Sequence, residues 1–202
     1  MIRIGILASH AGTTAQAVID ACHEGTIAAT VAVIISNNAD SQALDRARTH
    51  GIPAVHLSRA VHPDPDDLDQ AITGTLTAND VDLVLLAGYM RKVGPSTLRR
   101  YHGKVVNVHP ALLPRHGGRG MYGAAVHAAV LASGDQVTGA TVHIVTEEYD
   151  TGPALAQRQV AVDPGDDVAA IEAKVRVVER QLLIETLARL ALSPDPTGPA
   201  RG

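Results

Sequence analysis

Short apolar runs alternate with helical patterns along the first two thirds of this chain, and that alternation limits the fold more than any other feature. Residues 2–7 read as a buried strand, and 14–23 as the helix that follows it. The unit repeats with a strand at 31–36 and a helix at 41–50, which Gly51 ends. Residues 54–57 form a short third strand. Residues 66–78 read as a helix with Leu68, Ile72, Thr75 and Leu76 on one side. Residues 81–87 are again continuously apolar. A short helix after Pro95, a strand at 104–109 and a helix around 122–132 complete the series. Continuous apolar strands separated by helices predict an α/β fold with a doubly wound, mostly parallel sheet.

The pattern changes after Gly134. Residues 138–146 and 154–162 are strand-like and are separated by 147–153, which predicts an antiparallel pair joined by a substantial loop. A long helix starts at about Asp166, where Val168, Ile171, Val175, Val178 and Leu182 make one apolar stripe. Residues 193–202 are rich in Pro and Gly and read as a flexible tail. No internal repeat or linker divides the rest, so a single domain over 1–192 is expected.

Composition narrows the function. Of 202 residues, 46% are hydrophobic, yet none is Phe or Trp. The core must therefore be built from Val, Leu, Ile and Ala. The net charge of −4 comes with no basic block, which argues against a nucleic-acid partner. Cys22 is the single cysteine, so no disulfide framework is expected, and a buried inert thiol is the simplest reading. The chain opens directly on a strand-like run. Neither a signal peptide nor a membrane-length apolar run is seen, and a cytoplasmic location with no membrane partner follows as the expectation. A homodimer is compatible with the sequence.

Three segments carry candidate chemistry. The first is the turn Ala8-Ser9-His10-Ala11-Gly12-Thr13-Thr14, between the first strand and the first helix. A helix N-terminus offers free N–H groups and a positive dipole end. With Gly12 permitting close approach and two hydroxyls beside it, the turn reads as a phosphate seat. The other reading is an ordinary βα turn capped by Thr13 or Thr14. It is neither a dinucleotide fingerprint nor a Walker loop, since the glycine pattern and the Gly-Lys-Ser/Thr triplet are both absent. The second segment is Asn107-Val108-His109-Pro110. Asn107 and His109 are two apart and share one face of a strand. An amide donor beside an imidazole suits a carbonyl that becomes an oxyanion, although a histidine at a strand end also serves structure. The third is Asp150, in an acidic loop that the residues alone leave solvated and unconnected to His109. His116, His127 and His143 lack the paired spacing of a zinc helix, so no metal is expected. His143 either points toward the site or packs in its strand, and His10 either adds a positive contact or faces solvent.

Asn107-Val108-His109-Pro110-Ala111-Leu112-Leu113-Pro114, followed by Glu148-Tyr149-Asp150-Thr151-Gly152-Pro153, resembles the folate-dependent formyltransferases of the glycinamide ribonucleotide type. Residues 9–16, 86–91 and 175–179 fall in matching order, so the resemblance covers about residues 1–190. It implies transfer of a formyl group from 10-formyltetrahydrofolate, a reduced folate co-substrate, to the amine of glycinamide ribonucleotide. It also implies roles. Asn107 and His109 would stabilise the tetrahedral oxyanion, and Asp150 would keep His109 protonatable. Gly12, Thr13 and Thr14 would hold the substrate phosphate, and Glu179 its ribose. Met90, Arg91, Lys92 and Val93, with Asn107 and the Asp150 loop, would hold the folate. Two positions depart from the family pattern. Thr14 stands where a carboxamide is usual, and Pro65 stands near a place where some members carry an arginine.

Related readings are a formyltransferase for another amine, such as an amino-sugar nucleotide, and a non-catalytic nucleotide-binding protein of the same fold. A formyltetrahydrofolate hydrolase would need an extra N-terminal domain, and a methionyl-tRNA formyltransferase an extra C-terminal one with a tRNA-binding surface. Neither is expected here.

Overall fold

In β1 (Ile2–Ala8), every residue from Ile4 to Ala8 is buried. A strand can be apolar on both faces only if both faces are covered. The computed structural model describes residues 1–192, and the tail expected at 193–202 lies outside them. In chain order the elements are α1 (Thr13–His23), β2 (Ala29–Ser36), α2 (Gln42–Thr49), β3 (Ala54–His56), α3 (Pro65–Ala78), β4 (Leu83–Ala87), α4 (Pro95–Arg100), β5 (Val105–His109), α5 (Ala124–Ala132), β6 (Val137–Ile144), β7 (Ala154–Ala161) and α6 (Val168–Ala191). The strands form one sheet in the order β3-β2-β1-β4-β5-β6-β7. β1 pairs in parallel with β2 and β4, β2 in parallel with β3, and β6 antiparallel with β7. Winding reverses between β1 and β4, the topological switch point of a doubly wound sheet. Among the described residues no helix is long and apolar enough to cross a membrane.

The described chain divides into two compact units, residues 1–106 with 187–192, and Asn107–Thr186. In the first unit Gly5 lets α3 close on β1, because a Cβ there would sit 2.6 Å from Leu76 Cδ2. Asp64 starts α3 by accepting from the N–H groups of Asp66 and Asp67, with Pro65 in the first turn. The helix therefore begins one residue before the expected start. Its buried side differs too. Ile72 and Leu76 are buried as expected, but so is Asp69, while Leu68 and Thr75 are only half-buried. Asp69 is inside because it caps the next helix. Its carboxylate accepts from Ser96 N at 2.6 Å, Thr97 N at 3.1 Å and Thr97 Oγ1 at 2.6 Å. Gly94, the N-cap of α4, has no side chain of its own to offer.

In the second unit β6 and β7 pair along their lengths, with a register shift at Val142/His143. α5 starts two residues later than the pattern suggested, because Gly123 adopts φ 54°, ψ −139° and interrupts the helix. On α6, Ile171 and Val175 are fully buried and pack with Val130 of α5. Leu182 is buried as well, while Val168 and Val178 at the margins of the stripe are half-buried. Cys22, on α1 of the first unit, is half-buried rather than buried, and burial pushes its thiol up to about 11.

Candidate active site

β5 brings Asn107 and His109 to one face by strand alternation, and His109 is only 3% exposed. The ring of His109 has an acceptor at each nitrogen. Its Nε2 lies 2.8 Å from the His116 carbonyl, and its Nδ1 lies 3.6 Å from Asp150 Oδ2. The contact at Nε2 is a hydrogen bond to the carbonyl, while the approach at Nδ1 is longer than one. Asn107 Nδ2 lies 3.2 Å from His143 Nε2. The other nitrogen of His143, Nδ1, donates to the Ile144 carbonyl at 3.0 Å. That bond leaves Nε2 of a neutral ring as the acceptor for the Asn107 amide. Burial keeps the His143 imidazole below its usual value and outweighs the opposing pull of Asp150.

Asp150 is the centre of this group. Its Oδ2 faces His109, and its Oδ1 lies 3.5 Å from His143 Nε2. The side chain is 12% exposed, so Asp150 leaves solvent while Glu147 and Glu148 of the same acidic loop stay exposed as expected. The backbone explains its placement. Asp150 sits at φ 57°, a left-handed conformation that Asp tolerates better than most residues. Gly152 has no space for a Cβ, which would overlap the Ile144 carbonyl, so the loop passes tightly over the end of β6. Asp150 Oδ2 also accepts from Gly118 N at 2.9 Å. The turn 115–118 thus touches both functional groups, through the His116 carbonyl and the Gly118 N–H. The adjacent pair Gly117-Gly118 is the one signal of this turn visible in the residues.

The expected phosphate seat lies in the first unit. Gly12 is the N-cap of α1 at φ 66°, and no side chain caps the helix. The alternative in which Thr13 or Thr14 caps the turn is therefore not what forms. A Cβ at Gly12 would sit 2.7 Å from Ala43, so glycine is required by packing as well as by φ. Thr13 is exposed and Thr14 half-buried. Ser9 ties this turn to its neighbours at the carboxyl ends of the strands. Its hydroxyl donates to Asn37 Oδ1 at 2.5 Å and accepts from Met90 N at 2.8 Å. Met90, Arg91 and Lys92 are exposed after β4, and Val93 is buried. Glu179, on α6 in the second unit, is half-buried, and burial raises its carboxyl to about 7. Among the described residues no group of three or more His, Cys, Asp or Glu side chains is arranged to hold a metal.

Residues 2–187 match the sequence model of the family described as Formyl transferase. The phosphoribosylglycinamide formyltransferase of Haemophilus influenzae is 40% identical over 90% of this chain and 84% of its own. That of Mycobacterium tuberculosis is 40% identical over 94% of this chain and 85% of its own. The crystal structure of glycinamide ribonucleotide transformylase 1 from Symbiobacterium toebii has a TM-score of 0.86 at 40% identity, covering 94% of this chain and 87% of that one. A match over nearly all the described residues, with relatives of similar length, shows that this chain belongs to the formyl transferase family.

Proposed function

We propose that this enzyme transfers a formyl group from 10-formyltetrahydrofolate to the amine of phosphoribosylglycinamide, a step of purine biosynthesis. The observation that carries the reading is the buried group in which Asp150 stands between the rings of His109 and His143, beside Asn107. The relatives' printed names supply the acceptor.

Each residue then has a task. The substrate amine attacks the formyl carbon, and the formyl oxygen becomes an oxyanion. The Asn107 amide donates to that oxygen, and so does Nδ1 of a charged His109 ring whose Nε2 is held by the His116 carbonyl. Pre-oriented donors of this kind are worth most in a site that excludes water, and His109 is almost fully buried. Asp150 faces the His109 ring as its counter-charge and takes part in moving the proton that leaves the amine. Collapse of the tetrahedral intermediate breaks the bond to N10 of the folate, which takes up a proton. No residue forms a covalent intermediate, so Cys22 has no role. The uncapped amide groups at Gly12–Thr14 hold the substrate phosphate. Met90, Arg91, Lys92 and Val93 hold the folate. Glu179, with its carboxyl raised to about 7, binds the ribose hydroxyls. These assignments need no metal. The ligands are small molecules, and a homodimer in the cytoplasm is consistent with the reading.

The test is a formyl-transfer assay with 10-formyltetrahydrofolate, offering phosphoribosylglycinamide and a panel of other primary amines that includes an amino-sugar nucleotide. Formylated phosphoribosylglycinamide as the preferred product supports the reading. Preference for another amine, or release of free formate alone, rejects it.

A further inference from the structure

The imidazole of His116 takes no part in the mechanism above, yet it is firmly held. His116 has φ 54°, a left-handed backbone that a non-glycine residue keeps only when its surroundings impose it. Two contacts impose it here. The carbonyl accepts from His109 Nε2, and the ring Nε2 lies 2.7 Å from Asp135 Oδ2. The two side chains are only 13% and 17% exposed. The other oxygen of Asp135 takes Arg115 Nη2 at 2.6 Å, and Arg115 itself is largely exposed. That second pair is a surface contact that solvent screens, so the hold on the turn falls to His116. The hydrogen bond from His116 is the largest of the effects that hold the Asp135 carboxyl below the usual range.

The opposite side of the same turn meets the catalytic groups. The His116 carbonyl meets His109, and the Gly118 N–H meets Asp150 Oδ2. Gly117 lies between them with no slack. A Cβ there would sit 2.5 Å from Leu113 Cδ2 and 3.2 Å from Asp150 Cβ. The turn thus packs directly against Leu113 and Asp150.

We propose that His116 and Asp135 are positioning residues for formyl transfer. The Asp135 carboxylate clamps the His116 ring, and this fixes the turn whose carbonyl orients His109 and whose N–H orients Asp150. The proposal rests on the reading that His109 and Asp150 act at the formyl group.

The test compares Asp135→Asn, His116→Phe, their combination, Asp135→Glu and Arg115→Ala, with kcat and both KM values measured for each. A displaced catalytic group costs kcat steeply, so Asp135→Asn and His116→Phe are expected to lose about tenfold or more. Both KM values should stay within about twofold. Because the two residues act as one unit, the double variant should be no slower than the slower single. Asp135→Glu should recover part of the rate, and Arg115→Ala should remain near wild type. Wild-type kcat in both single variants overturns the proposal, as do losses that multiply in the double variant. Asp135→Glu no faster than Asp135→Asn also overturns it. A second readout does not depend on turnover. The 15N signals of the His109 ring should move in Asp135→Asn, and unmoved signals contradict the clamp. A slow His109→Ala beside a fast Asp135→Asn removes the positioning role alone. A fast His109→Ala removes the catalytic reading and the proposal with it.

Discussion

Asp150 is the residue on which the chemistry of this site turns, since it faces two imidazoles at 3.6 and 3.5 Å while its backbone sits in the left-handed region. Replacing it with asparagine keeps an oxygen for the Gly118 N–H and removes only the charge. Turnover in Asp150→Asn should fall about a hundredfold, while the melting temperature changes little. Steady-state kinetics beside a thermal melt check this, and near wild-type turnover would remove Asp150 from the mechanism. The residue scale also shows what a sequence carries and what it hides. Asn107 and His109 were legible because strand alternation alone places them on one face. Asp150 was not, because its approach to His109 depends on a loop conformation forced by Gly152 and by its own positive φ. His116 was hidden further, because it meets His109 through a main-chain carbonyl that every residue possesses.

At the scale of elements, strands and helices followed from apolar periodicity, and the errors lie at their ends. α5 starts late because Gly123 breaks the helix, and α3 starts early because Asp64 caps it. Asp69 shows a deeper limit. A carboxylate on the inner face of an amphipathic helix contradicts the pattern until α4 is seen to lack a cap of its own. Three donors converge on Asp69, which is only 4% exposed. Asp69→Ala takes the acceptor from the Ser96 and Thr97 N–H groups, while the Thr97 hydroxyl keeps Thr73 Oγ1, and should cost about 2–4 kcal/mol of stability. Denaturant unfolding at neutral pH measures this. A loss below about 0.5 kcal/mol, the usual range for surface changes, would show that α4 does not depend on the cap.

At the scale of the whole molecule, the absence of Phe and Trp led to the expectation of an aliphatic core, and the buried set is mostly Ile, Leu, Val and Ala. Periodicity could not foresee the buried ionisable groups, which make stability depend on pH in opposing ways. Burial lowers the imidazoles of His127 and His143 from an ordinary value of 6.5. The unfolded chain then binds more protons, and their contribution is lost as pH falls below that value. Glu179 acts with the opposite sign. Its carboxyl rises from 4.5 to about 7, so the folded chain binds more protons between those values, and stability falls as pH rises through them. Glu179→Gln removes that titration. It should stabilise the protein at pH 8 relative to its effect at pH 4, by about 1–3 kcal/mol, as read from denaturant unfolding at both values. The same difference at both pH values would contradict the raised carboxyl.

The central claim is that Asn107, His109 and Asp150 transfer a formyl group, and His109→Ala tests it most directly. The measurement is the rate of formation of formylated phosphoribosylglycinamide from 10-formyltetrahydrofolate at saturating substrates, with the affinity for a folate analogue measured on the same preparations. The account predicts that turnover falls about 10²–10³-fold while the affinity for the analogue is largely kept. Turnover at the wild-type rate would contradict it, and an equal loss of binding and rate would reduce His109 to a support for the pocket.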